Sequence, residues 1–131
     1  MKEQIKVYGI LSEVFEEDIV PFMPRILKNL EKTVVSEGTN RLHGAISETI
    51  GTIVFNIIDK IEDEEAKRDF FDNQILAFLF TFIEKSSNKV VQTCGINILS
   101  KVIINCPDDV LLDGLDFITS KMAQVLKIKN F

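Results

Sequence analysis

Residues 86–102 read SSNKVVQTCGINILSKV. The stretch opens polar and then places Val91, Cys94, Gly95, Ile98, Leu99 and Val102 at helical spacing. A glycine inside a helix costs about 1 kcal/mol relative to alanine. A Cys-Gly pair in that position therefore needs a reason. The candidates are a cleft, a ligand and a neighbouring helix that approaches closely.

The same spacing runs through the rest of the chain. Ile5, Tyr8, Leu11 and Phe15 form one apolar stripe, and Ile19, Phe22, Ile26, Leu27 and Leu30 form the next, after the break Glu16-Glu17-Asp18. Proline is tolerated in a first helical turn, so the second helix is predicted to start near Pro21, with Pro24 tightening it. SEGTN at 36–40 is a break. Leu42, Ala45, Ile46, Ile50, Ile53, Val54, Ile57 and Ile58 form a third stripe. DKIEDEEAKRD at 59–69 reads as an acidic connection, helical in part, and 75–83 as a buried helix. Ser or Asn at 86–88 caps the helix of the opening stretch. NCPDD at 105–109 breaks it, and Asp108 or Asp109 caps a last helix from about Val110 to Leu126. β-alternation is absent, so the expectation is an all-α domain of about six helices.

Helices in pairs call for a search for repeats. Leu11-Ser-Glu-Val14, Ile50-Gly-Thr-Ile53 and Leu99-Ser-Lys-Val102 all read apolar, small, polar, apolar. Upstream, Leu42-x-x-Ala45-Ile46 matches Val91-x-x-Cys94-Gly95, and the first unit has only Lys6-Val7 there. The pattern resembles the HEAT repeat, a stacked helical hairpin. That resemblance implies an α-solenoid of three hairpins in a right-handed stack, at roughly residues 1–35, 36–85 and 86–131. It also implies a role for the small residues. Ala45, Gly51, Cys94, Gly95 and Ser100 become packing points between repeats, where helix axes meet at the short end of the ~8–10 Å range.

Two phrases narrow the likeness. NKVVQTCGINILSKV and HGAISETIGTI (43–53) resemble successive repeats of the tortifolia/spiral group of plant microtubule-associated proteins, which carry TOG-like arrays of HEAT repeats. The resemblance implies a non-enzymatic scaffold with a protein partner, tubulin or microtubules, and a place on the cytoskeleton. TOG-type contacts lie in the turns inside each hairpin, which singles out Lys60, Lys67 and Arg68. The first turn here is Glu16-Glu17-Asp18, the third is Asn105 to Asp108, and the chain has no tryptophan. A HEAT adaptor of another kind, of the nuclear-transport receptor or kinase/phosphatase scaffold type, is the alternative.

Composition restricts the remaining choices. The 131 residues suit one domain, 46% hydrophobic and 27% charged, and the net charge of −5 argues against a nucleic-acid or anionic-membrane surface. No apolar run approaches the ~20 residues of a membrane helix. Cys94 and Cys106 make no disulfide framework and suit a reducing, cytoplasmic setting. His43, the one histidine, reads as pointing to solvent or capping a neighbour. One His and two distant Cys give no metal set, and no nucleophile–base pair or phosphate loop is present, so no catalytic residue and no cofactor is expected. Phe55, Phe78 and Phe82 read as core, and Phe70, Phe71 and Phe131 as the aromatics most exposed to a partner. Lys127, Lys129 and Phe131 read as a linker. Unburied apolar faces at both ends of a short stack suggest that two chains pair.

Overall fold

A computed structural model of the chain describes residues 2–37, 42–85 and 88–129. Among these residues every regular element is a helix. Helix α1 spans Lys2–Phe15 and α2 Met23–Glu37, joined by a 3-10 segment over Glu16–Phe22. α3 spans His43–Ile57. α4 (Glu64–Asp69) passes through a π-helical segment, Phe70–Leu76, into α5 (Ala77–Lys85). α6 spans Lys89–Asn105 and α7 Asp108–Lys129.

Several boundaries follow from single side chains. The Asp63 carboxylate accepts from the Ala66 amide at 3.1 Å and starts α4 inside the acidic connection, well before Ile75. The Asn88 side chain accepts from the Val90 amide at 2.8 Å and starts α6. Pro21 sits inside the 3-10 segment rather than opening the second helix, and Pro24 occupies the first turn of α2. Asp108 and Asp109 belong to the first turn of α7, where their charge suits the helix dipole, and the Pro107 carbonyl accepts the Leu111 amide. α7 continues through Lys127 to Lys129, so that stretch is helix rather than linker. Phe131 lies outside the described residues.

α3 is at the centre, packed on α1 along one side and on α6 along the other. Thr49 Oγ1 donates to the Ile5 carbonyl, and Asn56 Nδ2 donates to Ser12 Oγ at 3.1 Å. Both bonds join residues 44 apart. A constant separation is possible only when two helices run parallel. On the other side, Lys101 of α6 pairs with Glu48 at 2.6 Å and also lies beside Gly51. Positions 49 and 51 lie nearly opposite each other on a helix. α1, α3 and α6 therefore make a row, and α3 is the middle member.

α2, the 64–85 helix and α7 form a second row. α2 touches the π segment and α5 touches α7. The apolar core lies between the rows. Ile46, Ile50, Ile53, Val54 and Ile57 of α3 and Cys94, Ile98 and Val102 of α6 are fully buried there. A buried isoleucine contributes roughly 1.5–3 kcal/mol, so α3 is held mainly by this face.

Three aromatic expectations are corrected. Phe70 and Phe71 are fully buried, because the π segment turns both toward the core. Phe55 is 66% exposed on the outer side of α3. Phe15 is also exposed, since the face of α1 that meets α3 is Ile5, Gly9 and Ser12. His43 is buried rather than solvent-facing, and the Ser47 hydroxyl donates to its carbonyl.

Candidate partner-binding surfaces

Glu48 meets Lys101 and Gly51 meets Asn105, nearly the same separation twice, so α6 also runs parallel to α3, and the turns that follow α1, α3 and α6 share one edge of the molecule. The three cations predicted to contact a partner lie there, and each already has an anion. Lys60 Nζ is 3.3 Å from Glu16 of the neighbouring turn, with half of each side chain exposed. Lys67 is mostly buried beside Glu64. Arg68 pairs with Asp72 at 3.2 Å and with Asp113 at 4.0 Å, donates to the Val110 carbonyl at 3.3 Å, and lies over the Phe71 ring. Arg68 therefore ties α4 to the first turn of α7. The charges left exposed on this edge are mainly acidic: Glu17, Asp18, Asp59, Glu62, Glu65, Asp108 and Asp109. Such an edge attracts a basic partner and repels an acidic one.

The row of first helices carries a second surface. An open groove of about 660 Å³ runs across α1, α3 and α6. Its floor is made of small residues, including Gly9, Gly44, Ala45, Ser47 and Thr52, and Lys6, Glu13, Glu48 and Lys101 border it. The Glu48–Lys101 pair neutralises the α6 side. The depth of the groove comes from the small side chains. A Cβ added to Gly44 would meet nothing within 4 Å.

The predicted packing residues take different places. A Cβ on Gly51 would lie 2.7 Å from Asn105 Nδ2 and 3.2 Å from Lys101 Cβ, so α6 crosses α3 there. A Cβ on Gly95 would lie 2.7 Å from Ile83 Cγ1, 3.0 Å from the Leu79 carbonyl oxygen and 3.2 Å from Phe82 Cβ. The glycine of the opening stretch is thus the point at which α5 comes against α6. Cys94 is fully buried, Ala45 is buried at the groove floor, and Ser100 is exposed on the groove wall. Burial pushes the thiols of Cys94 and Cys106 up to about 12. Among the described residues no group of three or more His, Cys, Asp or Glu is arranged to hold a metal.

The groove residues Gly9, Gly44 and Thr52 carry no motif of their own. Their signal is the polar and small side chains at positions 44, 48 and 52, a stripe at four-residue spacing on an otherwise apolar helix. Comparison with protein families, with curated proteins and with solved structures finds no match to this chain. No helix among the described residues is long and apolar enough to cross a membrane.

Proposed function

We propose that the chain is a non-enzymatic, cytoplasmic protein-binding scaffold: a short HEAT-type solenoid of three helical hairpins that works within a microtubule-associated array. The observation that carries the scaffold reading is the central position of α3, parallel to α1 at a fixed separation of 44 residues and flanked by α6 on its other side. Stacked repeats generate such a row, because each hairpin repeats the placement of the last. The pairing of Glu48 with Lys101 and the small neutral floor of the groove suit docking of a chain better than chemistry on a small molecule. The microtubule assignment rests on the likeness of residues 43–53 and 88–102 to the tortifolia/spiral repeats. The test is cosedimentation with microtubules at low salt. The chain is expected in the pellet. A chain that stays in the supernatant counts against this assignment.

A second reading has its own support. The turn edge is acidic, and its cations Lys60, Lys67 and Arg68 already have carboxylate partners. An adaptor of the same solenoid type for a basic or amphipathic protein segment fits that edge. Recovery of such a partner, with no binding to tubulin, favours this reading.

A further inference from the structure

We infer that the two ends of the stack are complementary, and that a second copy of this chain docks head to tail, α6 and α7 of one copy against α1 and α2 of the next. The inference rests on the stacked-hairpin reading above. In α3, Ser47, Gly51 and Val54 are all buried on the side where α6 crosses at Gly51. The repeat register carries these positions to Ile96, Ser100 and Ile103 of α6. Ile96 and Ile103 are 43% and 41% exposed, so α6 presents an apolar strip of the kind that α3 buries. The side of α1 that faces away from α3 carries Val7 and Val14, 46% and 65% exposed. Both strips are spaced i, i+7, so two such helices running in the same direction can set them side by side along their length.

The second row supplies charge complementarity. Arg25 and Lys32 are exposed on α2, and Asp109 and Asp116 are exposed on α7. Again the spacing is i, i+7, and each pair begins in the first turn of its helix. When α7 of one copy lies beside α2 of the next, Asp109 comes opposite Arg25, and Asp116 comes opposite Lys32. Leu112 and Leu115, both exposed on α7, add apolar area to the same end. Unlike faces that meet without closing a ring generate an open chain rather than a symmetric pair.

The test is the weight-average mass of the 131-residue chain as a function of concentration. The mass is expected to rise past that of a dimer and to fall back at high salt. Val14→Asp removes one end and Ile103→Asp the other. Each variant alone is expected to remain a monomer, because an unpaired charge in an apolar contact weakens it by at least about tenfold. An equal mixture of the two variants retains one good interface and is expected to give dimers and nothing larger. Both positions are exposed, and the helical circular dichroism of each variant verifies folding. A monomer at every concentration, or a mixture of variants that forms no dimer, overturns the inference and leaves the end faces to a further hairpin or to another partner. Microtubule pelleting measured on the wild-type chain separates the two readings: a wild-type chain that pellets but never self-associates loses head-to-tail docking and keeps the scaffold.

Discussion

Gly95 and Gly44 are both helical glycines, and their surroundings set them apart. The Leu79 carbonyl 3.0 Å from a Gly95 Cβ is backbone and cannot move aside. Gly95→Ala is therefore expected to lower stability by about 1–3 kcal/mol despite alanine's better helix propensity. Gly44→Ala, which fills open space, is expected to raise it by up to about 1 kcal/mol. Gly51→Ala falls between the two, because the nearest atom is the mobile end of Asn105. Chemical denaturation midpoints give the order, and a Gly95→Ala variant as stable as wild type would contradict the close approach of α5. Glu16 is the one non-glycine at positive φ among the described residues, at 51°. Glu16→Gly relieves a left-handed conformation that costs roughly 1–2 kcal/mol, against glycine's own entropy cost of about 0.5–1 kcal/mol. A gain of under about 1 kcal/mol is expected in the same assay, reduced by loss of the exposed Lys60 pair. The small residues at 51 and 95 stand out in the sequence because each interrupts a helix. His43 and Phe55 carry no such mark, and only the packing of neighbours decides that the first is buried and the second exposed.

At the level of elements, helix positions were legible where apolar spacing was strong, as in α3 and α6, whose buried faces contain the predicted stripes. The π segment was not, because the shift that buries both Phe70 and Phe71 depends on their contacts with other helices. The acidic connection is helical in part, as its composition allows, and what the sequence did not mark is that the helix capped by Asp63 runs directly into α5. Arg68 is the cross-brace of this region. Arg68→Ala removes the bond to Val110 and the stacking on Phe71, and about 1–2 kcal/mol of stability should go with it. Arg68→Lys is expected to recover little, because an ammonium cannot reach Asp72 and Val110 in a fork. Full stability in Arg68→Lys would contradict the bracing role. The thiols on α6 and beside it give a pH test. Cys94 and Cys106 titrate near about 12 when folded, against 9.0 for an ordinary thiol. The folded state thus holds protons that the unfolded state releases. The contribution is full below pH 9 and declines between about pH 9 and 12, by up to about 1.4 kcal/mol per thiol per pH unit. Both thiols should resist alkylation until the chain unfolds, and rapid labelling of the native protein would contradict their burial.

Among the described residues α1, α3 and α6 form a row backed by α2, α5 and α7, and the scaffold reading takes this as a stack rather than a compact bundle. The row puts three turns on one acidic edge and a groove floored by small residues across its outer face. A bundle of the same helices would bring α1 against α6 and close that groove. The measurement that separates them most directly is a spin-label distance between Lys6→Cys on α1 and Ser100→Cys on α6, two groove residues. Cys94 and Cys106 are buried and leave the label to the new thiols. With α3 between the labelled helices, the axes are two packing distances apart, about 16–20 Å before the label tethers are added. A distribution centred there supports the stack. One centred on a single packing distance, about 8–10 Å before tethers, would place α1 directly on α6 and contradict it.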